Sequence, residues 1–167
     1  HDPAENELAA IREFVDVFGD PSLTWDDVAW LCYQTALPVV VKGVLHPGDA
    51  RSAVDAGADG VVVSNHGGRQ VDRAVPALQQ LPAVTEAVTD DAAVLYDSGI
   101  RRGADVLIAL GLGAEAVLLG RPYVYGLAID GSDGVAAVCA NLLADLDLTL
   151  GLCGLDDVTT LERSRLH

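Results

Sequence analysis

The sequence predicts an α/β fold of the (β/α)8-barrel type, present as four parallel βα units, half of a barrel. Three observations predict it. Four β-branched or apolar runs recur, at Pro38–Lys42, Gly60–Ser64, Ala93–Asp97 and Ala116–Gly120. Helical spacing separates them, and strands alternating with helices imply parallel pairing through right-handed crossovers. Every run also ends in a polar or glycine-rich group: Lys42-Gly43, Ser64-Asn65-His66-Gly67-Gly68-Arg69, Asp97-Ser98-Gly99 and Gly120-Arg121. A doubly wound sheet satisfies the alternation too, but it gathers its chemistry at one switch point. Chemistry at the C-terminal end of every strand is the barrel pattern, and a whole barrel takes about 250 residues.

Each element has its own signals. Residues 1–22 form an N-terminal extension and lead-in, and 23–167 the half-barrel. Thr24 or Asp26 caps a helix that runs through Thr35. The helix His46–Gly57 opens with Pro47 and stops at a glycine. Val75–Val88 carries Leu78, Leu81, Val84 and Val88 at helical spacing, and Arg102–Gly113 places Val106, Leu107 and Leu110 on one face. A long helix from Val135 to Leu150 and a short tail follow the last strand. The stretch GLGAEA from Gly111 matches a dinucleotide fingerprint loosely. It follows a helix and precedes a strand, the reverse of what phosphate binding needs. Its glycines end a helix and turn the chain.

Composition narrows the function classes. The net charge of −15 opposes nucleic-acid binding, which needs a basic face. No apolar run nears the roughly 20 residues of a membrane span, and the start lacks a signal peptide, so the expectation is a soluble, cytoplasmic protein without membrane contact. The acidity is built from 19 Asp and 6 Glu against 9 Arg and one lysine. With a mean hydropathy of +0.30, disorder does not account for it. An Asp-rich, lysine-poor surface on an apolar core points to a salt-loving source, where ionic strength screens self-repulsion. Cys32, Cys139 and Cys153 suit neither a disulfide framework nor a metal site and are expected as small core residues.

The strand ends read as one site. Arg69 can grip a carboxylate with two parallel hydrogen bonds. His66 can take a proton from a group held beside it. Gly67 and Gly68 allow close backbone approach. A capped loop with an exposed histidine is the plainer account of this stretch. Lys42, the lone lysine, either stabilises an anion formed during reaction or makes an ordinary salt bridge, for which Asp49 is the nearest candidate. Asp97, Ser98, Gly99, Ile100 and Arg101, with Gly120 and Arg121 one strand away, occupy the place where barrels commonly hold phosphate.

Four segments, VVVKGVLHPGDA (39–50), GADGVVVSNHGGRQ (57–70), DSGIRRGADV (97–106) and GAEAVLLGRP (113–122), closely resemble the FMN-dependent α-hydroxy-acid oxidases and dehydrogenases. The resemblance runs from LTWDDVAWL at Leu23 to the end and implies that the chain supplies barrel units five to eight. Most members have Asp-Gly-Gly where Asp97-Ser98-Gly99 stands; the serine form and GRPYVYGLA (120–128) are similar to the lactate 2-monooxygenase branch.

The resemblance implies oxidation of a small L-2-hydroxy acid such as L-lactate, with FMN as cofactor and oxygen as the expected acceptor. It places Lys42 at the edge of the flavin, where it would stabilise the reduced ring, and Ser64 in contact with the flavin. It makes His66 the base and Arg69 the holder of the substrate carboxylate. Asp97, Ser98, Gly99, Ile100, Arg101, Gly120 and Arg121 would cradle the cofactor's phosphate. Two rivals stand beside an enzyme: a flavin- or phosphate-binding half-barrel without turnover, and an assembly module that pairs with itself or with a complementary N-terminal half.

Overall fold

The structure is a computed structural model describing residues 5–161 and 163–165. Helices α1 (Glu7–Phe18) and α2 (Trp25–Gln34) precede four βα units: β1 (Val40–Val44), α3 (Pro47–Asp55), β2 (Gly60–Val63), α4 (Ala77–Val88), β3 (Ala93–Asp97), α5 (Gly103–Gly111), β4 (Ala116–Leu118) and α6 (Arg121–Leu152). The strands form one parallel sheet in the order β1-β2-β3-β4. Among the described residues β1 and β4 each have one neighbour, so each presents an open edge.

Side chains alternate across a strand, which gives the sheet two unlike faces. Val61, Val63, Val94 and Tyr96 point into the core, where Ala50 and Ala53 of α3, Leu81, Val84 and Val88 of α4, and Val106 and Ala109 of α5 cover them. On the other face, register aligns Lys42, Val62, Leu95 and Ala116 in a row. A closed barrel turns that face inward.

The helix expectations hold with trimmed ends: one of two offered caps is chosen, one helix is added, and two readings are corrected. Thr24, not Asp26, caps α2; its amide and hydroxyl donate to the Asp27 carboxylate at 2.7 and 2.9 Å. Leu107 does not share a face with Val106. It joins Leu150 and Leu155 in a second cluster, because α5 packs on α6 as well as on the sheet. The lead-in contains a helix, α1, capped by Asn6, whose side chain accepts from the Ala9 amide. Finally, α6 begins at Arg121, fourteen residues before its expected start.

By length and apolarity α6 is sufficient to cross a membrane, but it is not one rod. Asp130 and Gly131 leave helical geometry, and a Cβ on Gly126 would lie 2.5 Å from the Gly134 carbonyl oxygen. Eight residues of straight helix would separate those positions by about 12 Å. The two legs therefore fold against each other where both are glycine.

Cysteines are likewise not core residues: Cys32 is half-buried, while Cys139 and Cys153 are exposed, all as free thiols. The outer helices leave large apolar groups in the open, among them Phe14, Phe18, Trp30, Tyr33, Tyr125 and Ile129.

Candidate active site

The C-terminal ends of all four strands open into one cavity of about 510 Å3. Lys42, His66, Arg69, Asp97, Ser98, Gly99, Ile100, Arg101, Gly120 and Arg121 all line it. Of the residues expected in the site, Ser64 and Gly68 do not reach the wall: Ser64 is fully buried beneath it, and Gly68 is exposed outside it.

The floor is a compact polar cluster. Lys42 Nζ donates to Asp97 Oδ2 at 2.6 Å and to Ser64 Oγ at 3.1 Å, and Ser64 Oγ donates to Asp97 Oδ2 at 2.5 Å. Burial pushes the Asp97 carboxyl up, but the hydrogen bonds from Lys42 and Ser64 and the lysine charge outweigh it and hold the group below the usual carboxylate range. The partner of Lys42 is thus Asp97 and not Asp49. Parallel register explains the choice: Lys42 aligns with Leu95, and Asp97 is the next residue of β3 on the same face. A carboxylate accepts hydrogen bonds and repels phosphate, and this one is taken up by the lysine and the serine.

The loop after β2 turns left-handed at once. His66, Gly67 and Gly68 have φ of 54, 67 and 75°, within a short 3-10 turn whose first amides are bonded by Asn65 Oδ1 and two serine hydroxyls. This raises the half-buried His66 ring over β1, where a Cβ on Gly43 would stand 2.5 Å from its Nε2. Gly43 interrupts the β1–β2 register, and its own φ is +96°. A glycine inside a strand pattern signals a bulge or a close approach, so this residue could have been singled out from sequence. Neither the His66 ring nor the Arg69 guanidinium has a hydrogen-bond or ion-pair partner among the described residues, and Arg69 is exposed.

The far wall is built by the ends of β3 and β4. A Cβ on Gly99 or Gly120 would meet nothing within 4 Å, so bare backbone borders open space there. The Arg121 guanidinium reaches back to the Gly67 carbonyl at 3.4 Å and ties this wall to the histidine loop. Ile100 contributes backbone alone, since its side chain is in the core. Tyr96, unnoticed in the sequence, donates from its hydroxyl to the Ser98 carbonyl at 2.7 Å; burial, then the charges of Asp97 and Asp105, push its phenol up.

Comparison with known proteins agrees with this geometry. The family model for FMN-dependent dehydrogenases matches residues 2–167. An FMN-dependent alpha-hydroxy acid dehydrogenase of Schizosaccharomyces pombe is 49% identical over 96% of this chain and 40% of its own length. An L-lactate oxidase of Nostoc is 47% identical over 89% of this chain and 40% of its own. A crystal structure of mandelate oxidase with (S)-4-hydroxymandelic acid superposes with a TM-score of 0.81 at 49% identity, covering 84% of this chain and 40% of that one. The chain thus spans about 40% of the length of the curated relatives it matches. A sequence match over residues 2–167 joined to a shared backbone leaves one conclusion: this chain belongs to the FMN-dependent dehydrogenase family.

Proposed function

We propose that the chain carries the cofactor cradle and the proton-accepting part of a site that oxidises a small 2-hydroxy acid, with L-lactate as substrate and oxygen as electron acceptor. One observation carries this reading: an imidazole and a guanidinium, three residues apart and without partners among the described residues, face a cavity whose floor holds a lysine paired to a carboxylate.

FMN fits the residues present. The cavity lies within the roughly 300–1,000 Å3 usual for small-molecule sites. Arg101 and Arg121, the bare backbone at Gly99 and Gly120, and the start of α6 offer the charge and close approach a phosphate needs. Bound FMN would supply the acceptor for the electron pair of the substrate's Cα–H bond. The remaining work falls to this chain. Arg69 binds the carboxylate and aims the hydroxyl at His66, whose ring takes the O–H proton as the carbonyl forms. Lys42 keeps a cation beside the site without leaving it unpaired.

The test is to purify the chain with FMN, record the bound-flavin spectrum, and add L-lactate without oxygen. Bleaching is the expected result. Colour that persists makes this a binding half-barrel without turnover and overturns the enzymatic reading. No colour at all overturns the cofactor as well.

The open edges of β1 and β4 carry a second expectation about partners. Helices cover one face of the sheet but cannot pair its strand edges, and on the other face Val62 is already buried while Leu95 is only half-buried. Burying several hundred Å2 of apolar surface, at roughly 25 cal/mol per Å2, favours pairing by many kcal/mol before association costs. Without the remaining strands of a barrel, the chain is therefore expected to sediment in molar salt as a two-fold dimer, the salt screening its −15 charge. A cooperatively unfolding monomer at micromolar concentration would show that the edges are closed within the chain.

A further inference from the structure

Ser98 sits where an L-residue is strained: its φ is +100°, in the left-handed region that favours glycine. Its hydroxyl is also placed unusually. Ser98 Oγ accepts from the Asn65 amide at 3.2 Å and from the Gly67 amide at 3.3 Å, the two backbone donors that flank His66. The amide of His66 itself donates to Ser64 Oγ at 3.0 Å, and the two serine oxygens stand 3.3 Å apart. Three successive amides of the histidine loop thus converge on two hydroxyls. Both hydroxyls are anchored to the end of β3, Ser64 by its bond to Asp97 and Ser98 by its own backbone, whose carbonyl the Tyr96 hydroxyl holds.

This arrangement has a definite consequence for the loop. His66, Gly67 and Gly68 all adopt positive φ, two of them glycines, so the segment has little stiffness of its own. Its His66 ring has no side-chain partner among the described residues. Bonds to the loop backbone therefore determine where the imidazole stands over Gly43: those to the two serines, the Asn65 side chain's bond to the Gly67 amide, and the Arg121 contact with the Gly67 carbonyl. A strained residue kept in place by surrounding bonds is the pattern found where geometry serves a site.

We propose that Ser98 is a positioning residue for His66: its hydroxyl clamps the backbone on both sides of the histidine and sets the imidazole's place in the cavity. The inference rests on the reading of His66 as the proton acceptor. It concerns the chain's own loop, however, and is measurable without any cofactor.

The experiment is amide hydrogen exchange and histidine NMR on the 167-residue chain and two variants. Ser98→Gly removes the hydroxyl and relieves the backbone; Ser98→Ala removes the hydroxyl and keeps the strain. In both, exchange at Asn65 is expected to quicken about tenfold, the scale of one lost neutral hydrogen bond, and at Gly67 by less, because its amide keeps a bond to Asn65 Oδ1 at 3.1 Å. Val94 and Tyr96, in the strand beneath, should stay near their original rates. The His66 Cε1–H resonance should move toward that of a solvated histidine, while that of His46 stays in place. Unchanged Asn65 exchange, or an unmoved His66 resonance, would overturn the proposal. Equal loss of protection across β3 in both variants would also overturn it, since the serine would then support the sheet and not the loop. Failure of the unaltered chain to bind FMN would count against the proposed function alone and leave these readouts intact.

Discussion

His66→Gln, in a barrel completed by the remaining strands, is expected to bind FMN normally and to lose reduction by L-lactate almost entirely. Glutamine fills similar space and keeps a polar tip, but it cannot take a proton. General base catalysis is worth roughly 10²–10⁴ in rate, so kcat/KM should fall by about that factor. Flavin binding should survive, because the cradle draws its charge and close approach from Arg101, Arg121 and the bare backbone at Gly99 and Gly120, none of which the substitution alters. Stopped-flow bleaching without oxygen checks this. Normal reduction in the variant would mean that another group accepts the proton.

How much of this was legible in the sequence depended on whether the signal was local. The continuous runs Val61–Val63 and Ala93–Asp97 read directly as strands, because β-branched and apolar residues bounded by glycine or polar groups suit a sheet covered by helices. Lys42 stood out as the single lysine, yet Asp97, its partner, is 55 residues away and only strand register brings the two together. Asp49 was the nearer candidate in sequence, and proximity along the chain misled. The break in α6 was harder: an Asp-Gly pair interrupts many helices without turning them, and the crossing at Gly126 and Gly134 is a packing fact. Helix α1, by contrast, was readable from Asn6 as a cap and from Leu8, Ile11, Val15 and Phe18 at helical intervals. The role of Ser98 was not readable at all, since it depends on a backbone angle and on amides from another loop.

Arg69→Lys should lower kcat/KM by at least about a hundredfold, since a hydrogen bond to a charged group is worth roughly 1.5–3 kcal/mol and lost orientation adds to it. Arg69 follows the left-handed turn at residues 66–68, so its stem leaves the backbone three residues after His66 on the same loop. With no ion-pair or hydrogen-bond partner among the described residues, its five donors are uncommitted. A carboxylate gripped by two of them is fixed in angle as well as in place, which presents the neighbouring hydroxyl to the imidazole. Lysine keeps the charge and loses the fork, so the substrate is held but free to pivot. The loss should therefore appear in kcat as well as KM, unlike the loss of a simple attraction, which raises KM alone. Steady-state kinetics on both proteins, with flavin content matched, separates the two cases. Unchanged kinetics would take Arg69 out of the site and pass the carboxylate to Arg101 or Arg121, because the charge of Lys42 is already committed to Asp97.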